Sequence, residues 1–344
     1  MGVYLTYDNL ASQDGSGAQV QRIFAIYSLA KKLKIGYLHS QILEIDFNPG
    51  DGISTHEKML QYKIKLNESL GFLSTKEIEN EYRINFKFQR LSVFLNVGIL
   101  HFMYYRLFFL SYKFWHIITK KNYVFVIVDP YPLISKIPNS YLNVKHIMPF
   151  ADDKQSNKIF SIHLHLFRTR ASRSVQKERY TEESWYLRIL DQLSEILKSN
   201  SIDFEIVLHT DINESAFWEI PSGSNKQTVE YWKAAGVEIS GQLMATPKLE
   251  ILNEFKKFHN LRIVSGIDAI EAWKLISQAD IFLMGKSSFS FVGAVYNKKG
   301  IILTPEFFIP PLSSWYLVKE NSNLDLGKVP NLIYSVKQKI KEIT

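Results

Sequence analysis

The sequence predicts an α/β chain of two units, each a parallel sheet wound with helices. Three observations carry this. Short β-type runs alternate with segments of helical period, first over residues 3–43 and again, more cleanly, over 159–303. Residues 123–128 read Tyr-Val-Phe-Val-Ile-Val, an unbroken apolar run that suits a strand buried on both faces, and Asp129-Pro130-Tyr131-Pro132 stops it. The chain has 344 residues, which at roughly 150 per domain gives about two.

The elements follow in order. Residues 3–7 alternate apolar and polar at strand length. A Gly/Ser/Asp-rich loop covers 8–17. Residues 18–34 space Val20, Ile23, Phe24, Tyr27, Leu29 and Ala30 at helical intervals, and 35–43 read as a second strand. Residues 48–87 are polar and irregular, with a helix expected after Ser54. The polar segment 151–157 contains two aspartates, one lysine and no large apolar residue, and marks the domain boundary: 1–152, then 153–344. Beyond it come a strand at 159–167, a helix at 181–198 with Thr181 as its N-cap, and a strand at 204–209. Short helices are expected near Tyr231 and Leu249. The series closes with strand 261–264, helix 268–278, strand 280–284, helix 288–297, strand 300–303 and a final helix from about Asn331.

Composition excludes several classes of function. At 46% hydrophobic and 22% charged, the chain buries a core, which rules out disorder. With no cysteine there is no disulfide scaffold, thiolate zinc site or cysteine nucleophile. The net charge of +7, from 41 basic and 34 acidic residues, allows an anionic ligand or a membrane surface and does not call for nucleic acid. The first residues lack a basic segment followed by an apolar run, so no secretory signal is expected, and the expected location is cytoplasmic. Residues 91–105 carry no charge but are interrupted by Asn96 and His101 and flanked by Arg90 and Arg106, too short for a span of about 20 apolar residues. The aromatic-basic run through Ile118 reads as a buried helix pair with snorkelling ends. It also reads as a segment lying on a membrane surface, a peripheral membrane contact.

Chemistry is expected at the carboxyl ends of the strands, where open parallel sheets hold ligands. Four constellations stand there. In the first, strand 280–284 runs into Gly285-Lys286-Ser287-Ser288-Phe289-Ser290 and a helix. Free N–H groups and partial positive charge at a helix start suit a phosphate, with Lys286 adding charge and the serines adding donors. The same serines also read as an ordinary N-cap. In the second, His163 and His165 share one face of a strand that runs out into Arg168, Arg170 and Arg173. Guanidinium forks suit a diphosphate; a solvated loop is the alternative. A metal reading of the histidine pair lacks a third ligand, so no metal site is predicted. The third is His209-Thr210-Asp211 just past an apolar strand, suited to a base or ribose, or to capping the next helix. The fourth is Asp14-Gly15-Ser16-Gly17-Ala18-Gln19, a glycine loop entering the first helix, with Arg22 one turn on.

Taken together and in order, these residues resemble the alpha-1,2-fucosyltransferases, a branch of the GT-B fucosyltransferase superfamily. Gly17-Ala18-Gln19 with Ala25, Leu29, Ala30 and Lys31 is similar to that family's opening Gly-x-Gly-Asn-Gln and helix. Ile162-His163-Leu164-His165 sits where the family has His-x-Arg-Arg-Gly-Asp, and Thr210-Asp211 where it has Ser-Asp. Ala269, Trp273, Leu275 and Ile276, followed by Ser287-Ser288-Phe289-Ser290 and Gly293-Ala294, resemble its closing Asn-Ser-Ser-Phe-Ser-Trp-Trp-Gly-Ala element, and Thr304-Pro305 the next strand end. The resemblance covers the first 45 residues and most of the second half. The family's diphosphate-contacting arginine is His165 here, and its asparagine is Ala18.

The resemblance implies a GT-B-like fold: two Rossmann-like domains with parallel sheets facing a central cleft. The first domain would hold the acceptor, with Gly17, Gln19 and Arg22 in an acceptor-side loop. The second would hold a nucleotide sugar through His165, Arg168, Arg170, His209, Thr210, Asp211, Lys286, Ser287, Ser288, Phe289 and Ser290, and the last helix would pack back on the first domain. The implied reaction is inverting, metal-independent transfer of a fucose-like sugar, with a GDP-sugar favoured, to a glycan hydroxyl in surface polysaccharide or glycoconjugate synthesis. No cofactor is implied beyond that donor substrate. Asp14, His163 and Asp129 are the candidate catalytic groups, with Asp8 beside them. The eroded arginine motif leaves two alternatives open: another nucleotide-sugar donor, or a non-catalytic protein that binds a nucleotide or glycan.

Overall fold

The structure is a computed structural model. It describes residues 2–8, 15–43, 45, 56–72, 86–91, 99–127, 133–134, 144, 159–166, 181–210, 218–219, 244–245, 250–307, 309–324 and 334. The chain divides into two compact units, Met1–Phe47 with Met59–Ala151, and Asn48–Lys58 with Asp152–Thr344. Both are α/β, and each holds a sheet whose strands all run parallel.

The first unit contains β1 (Val3–Tyr7), α1 (Ser16–Leu33), β2 (Gly36–Tyr37), α2 (His56–Ser69) from Met59 onward, β3 (Phe86–Leu91), α3 (Ile99–Thr119) and β4 (Asn122–Ile127). Its sheet order is β2-β1-β4-β3. Helix α1 buries Val20, Ile23, Phe24 and Ala30 and ends on Lys34 in the left-handed region, whose N–H returns to Ala30 and Lys31. Three expectations need correction here. The second strand is two residues rather than nine. After Tyr37, Leu38 still donates to Leu5 of β1, and further on Ile42 N–H goes to the Asn67 side chain of α2 and not to a strand. Strand β3 was not foreseen. Its side chains are largely exposed, so it lacks the buried alternation that marks a strand in sequence. The aromatic-basic run forms one helix over its described part, and that helix is apolar on its exposed side, not buried as a pair.

The second unit contains β5 (Phe160–Leu166), α4 (Glu183–Ser199), β6 (Phe204–Thr210), the antiparallel pair β7 (Trp218–Glu219) and β8 (Met244–Ala245), and α5 (Glu250–Asn253) with a 3-10 turn to Lys257. There follow β9 (Leu261–Val264), α6 (Ala269–Ser277), β10 (Ile281–Leu283), α7 (Ser288–Tyr296), β11 (Ile301–Thr304) and β12 (Tyr316–Leu317). The parallel sheet runs β12-β11-β10-β5-β6-β9. Counted along the chain from β5, that is 6-5-4-1-2-3, the doubly wound order in which the winding reverses between the first and fourth strands. The reversal lies between β5 and β10, which pair Ile162 with Ile281 and Leu164 with Leu283.

Strand alternation decides what lies on each face. Ile162, Leu164 and Leu166 of β5 join Trp185, Tyr186, Ile189, Leu190, Leu193 and Leu197 of α4 in one core. The i, i+3, i+4 spacing of those α4 residues is what makes that helix amphipathic. His163 and His165 therefore occupy the opposite face. Helices α6 and α7 pack so closely that a Cβ on Gly293 would lie 3.0 Å from Ile276 Cγ2. Asn297 ties the pair off, its Nδ2 donating to the carbonyls of Ile276 and Ala279. Thr181 is not the N-cap of α4. Glu182 holds that position without a side-chain cap, and the Thr181 hydroxyl is used elsewhere. The short helix expected near Leu249 is α5. Those near Tyr231 and beyond Asn331 lie outside the described residues, Tyr334 apart.

Candidate functional site

The carboxyl edge at the β5–β10 reversal is built from a tight turn. Strand β10 passes through Met284, Gly285, Lys286 and Ser287 into α7. Gly285 is dictated by crowding: a Cβ there would meet Tyr186 Oη at 2.6 Å and the His165 carbonyl at 2.9 Å. Ser287 is the N-cap, its Oγ accepting from Ser290 N–H at 3.0 Å. The N–H groups of Ser288 and Phe289 have no acceptor within the helix, and Ser288 and Phe289 are the half-buried residues of this turn. Lys286 donates its N–H to Thr181 Oγ1 at 3.1 Å, and its ammonium is ion-paired with Glu320. Lys286 is 8% exposed.

A chain of hydroxyls and imidazoles runs back from this turn into the sheet. Ser287 Oγ donates to Ser290 Oγ at 3.0 Å, and Ser290 Oγ lies 2.6 Å from His165 Nδ1. That contact closes a continuous line of hydrogen-bonding groups from Ser287 through Ser290 to the His165 ring. The His165 ring packs on Phe289 at 4.5 Å. Trp273 in turn packs on Phe289 and donates Nε1–H to its carbonyl at 3.0 Å. The Tyr186 hydroxyl donates to the His165 carbonyl at 2.9 Å.

Register explains the third imidazole. His165 pairs with His209 of β6, so His163, His165 and His209 share a face. His163 Nδ1 lies 3.0 Å from His209 Nε2. All three rings are buried. Burial, then the neighbouring His209, push His165 down to about 3. Burial, then Arg262, push His209 down to about 3. His163 is held well below its ordinary value by burial, His209 and Arg262. All three are neutral at physiological pH. Among the described residues, His209 Nδ1 is a buried polar atom without a hydrogen-bond partner, a cost that a ligand group or a water relieves.

The site residues named from sequence separate as follows. His163, His165, His209, Thr210, Lys286, Ser287, Ser288, Phe289 and Ser290 gather at the β5, β6 and β10 ends. Gly17, Gln19 and Arg22 belong to α1 in the first unit, Gln19 fully buried and Arg22 half-buried. Asp8 ends β1 beside β4, its N–H on the Ile127 carbonyl at 3.3 Å. Asp14, Asp129, Arg168, Arg170 and Asp211 lie outside the described residues. Sequence reading missed Thr181, Tyr186 and Glu320. Tyr186 read as one more apolar position of an amphipathic helix, and nothing local marks Glu320 as the partner of Lys286.

Comparison with known proteins gives likeness of shape alone. No protein-family model matches the chain, and no curated protein matches it by sequence. Among solved structures, E. coli ADP-heptose LPS heptosyltransferase II is similar over 100% of this chain and 98% of its own, at 11% identity and a TM-score of 0.35. POFUT1 in complex with GDP-fucose is similar over 87% of this chain and 96% of its own, at 10% identity and 0.41. UDP-GlcNAc 2-epimerase from Methanocaldococcus jannaschii, in complex with UDP-GlcNAc and UDP, is similar over 99% and 93%, at 11% and 0.35. TM-scores at this level assign no activity to the chain.

Proposed function

We propose that the chain is an inverting, metal-independent glycosyltransferase of the GT-B kind, moving a sugar from a nucleotide-diphosphate donor to a glycan hydroxyl. One observation carries this reading: the strand order 6-5-4-1-2-3 places the Gly285 turn and the start of α7 at the point where an open parallel sheet takes its ligand. Negative charge grows on the diphosphate as the bond to the sugar breaks. The N–H groups of Ser288 and Phe289, aligned with the helix dipole, and the Ser288 hydroxyl as a further donor stabilise that charge. Because His165 is neutral and Lys286 already holds Glu320, the balancing cations fall to Arg168 and Arg170. His209 and Thr210 take the nucleoside, with His209 Nδ1 as the unspent polar atom. His165 orients the α7 turn through Ser290. The base that receives the acceptor proton is sought among Asp8, Asp14 and Asp129 of the first unit and His163. The resemblance in Ser287-Ser288-Phe289-Ser290 favours a GDP-sugar and a fucose-like group, with surface polysaccharide or glycoconjugate synthesis as the setting and no cofactor beyond the donor.

A second reading rests on His165 itself. A neutral imidazole at the position where the fucosyltransferases carry arginine favours a different nucleotide-sugar donor, or a protein that binds a nucleotide or glycan without turnover. A thermal-shift panel of GDP, UDP, CDP, CMP and dTDP, with and without magnesium, separates the readings. Stabilisation by GDP without magnesium, followed by turnover of GDP-fucose, is the expected result. A shift with another nucleotide alone overturns the donor. Binding without turnover of any nucleotide sugar supports the non-catalytic protein. Ser288→Ala and Arg168→Ala should each weaken diphosphate binding while leaving folding intact; parental binding by both would mean the phosphate site is misplaced.

A further inference from the structure

Helix α3 carries an apolar surface that no part of the proposed reaction uses. Its inner side is spent on the first sheet. Phe109 is buried and meets Phe125 edge-on at 5.2 Å, and Phe108 and Tyr112 meet the same ring. Tyr112 Oη donates to Gln89 of β3 at 3.2 Å. The outer side should be polar in a helix that faces water, yet Met103, Leu107, Leu110, Phe114, Ile117 and Ile118 are each 50–65% exposed. Spaced three, four and seven residues apart, they form one continuous stripe. Tyr104 and Trp115 border it and are exposed as well. A stripe of this size on a soluble surface marks something it docks to.

Charge identifies the occupant. Between Tyr82 and Val128 there are seven basic residues and no acidic one. Of the 41 Lys and Arg in the chain, these seven are the whole surplus: the other 34 are matched by the 34 Asp and Glu. Lys87, Arg90, Arg106, Lys120 and Lys121 are exposed. Arg106, Lys113 and Lys120 recur every seven residues along one flank of α3. Lys113 Nζ donates to the Lys34 carbonyl at 2.5 Å, which brings the exposed Lys31, Lys32 and Lys34 of α1 beside that flank. A second copy of the chain would bring the same cations face to face, and a free glycan has no use for aliphatic side chains. An anionic bilayer answers both features, with acyl chains for the stripe and headgroups for the flank.

We infer that α3 docks the first unit in the plane of an anionic membrane, stripe inward and basic flank at headgroup level. Among the described residues no helix is long and apolar enough to cross a membrane, which suits a helix that lies on one. The inference is independent of the nucleotide reading.

Flotation of the full chain with vesicles tests it. The chain should float with vesicles of phosphatidylcholine containing phosphatidylglycerol, float poorly with phosphatidylcholine alone, and be released by salt. Trp115 emission, isolated by difference against Trp115→Phe, should shift to the blue. Leu107→Glu with Phe114→Glu should cut partitioning by roughly tenfold or more. Arg106→Gln with Lys120→Gln and Lys121→Gln should cut it by about 100-fold and flatten the salt dependence. All the substituted side chains are exposed, and unchanged far-UV dichroism confirms that the variants fold. Failure of the parent chain to float with anionic vesicles overturns the proposal. So does a double variant that floats like the parent. If the double variant instead loses a dimer seen by sedimentation velocity, the stripe belongs to a second copy and the proposal falls.

Discussion

At the scale of single residues, the site depends on what is buried without charge. His165 and His209 stay neutral down to about pH 3 in the folded chain, against an ordinary value of 6.5, and His163 is lowered in the same direction. Below pH 6.5 the unfolded chain takes up protons that the folded chain refuses. Stability from this source is therefore full above pH 6.5 and falls as pH drops toward 3, by about 1.4 kcal/mol per pH unit for each such histidine. Melting temperatures measured from pH 7.5 to 4.5 should fall, and His209→Gln should remove about one proton from the slope; an unchanged slope would mean the ring is charged or exposed. Gly285 offers a steric test. Gly285→Ala drives a Cβ into Tyr186 Oη and the His165 carbonyl and should cost about 1–3 kcal/mol in a urea titration, with nucleotide binding lost alongside. The histidine pair and Gly285 are plain in the sequence. That His165 has no charge to offer is not, because its surroundings come from β6 and α7.

Among the elements, α7 carries the argument, and its cap separates structure from ligand binding. Ser287→Ala removes the acceptor for Ser290 N–H and should destabilise the chain by about 1 kcal/mol, read as a lower urea midpoint with an unchanged slope. Ser288→Ala caps nothing and should stay within about 0.5 kcal/mol of the parent while weakening the nucleotide. Equal destabilisation by the two would place the cap one residue later. The elements that were legible had strong local signals: α4 and α6 through their periodicity, and β5, β6, β9, β10 and β11 through short apolar runs; the Asp268 cap on Glu271 N–H that starts α6 came only from the structure. Those that were not had none. Strand β3 is exposed, and β12 and the second strand are two residues long each.

For the whole molecule, parallel pairing sets how the chain folds. Every strand pair in the two larger sheets is parallel, so none closes through a tight hairpin. β5 must wait for β10, more than a hundred residues on. Refolding followed by tryptophan fluorescence should show more than one phase, the slowest in seconds or longer. A slow phase that a prolyl isomerase abolishes would point to proline and not to topology.

By itself the sequence determined the α/β class, the order of most elements, the Ser287–Ser290 turn and the charge surplus of residues 82–128. All of these are local patterns, written in periodicity, glycine and serine placement, or composition. Only the tertiary structure decided the strand order, and with it that the β5 and β10 ends adjoin. Only it decided that three histidines share one buried face, that Lys286 is held by Glu320, and that the outer side of α3 is left uncovered. Each of these joins residues far apart in the chain, and no local pattern records which distant strand or helix will become a neighbour.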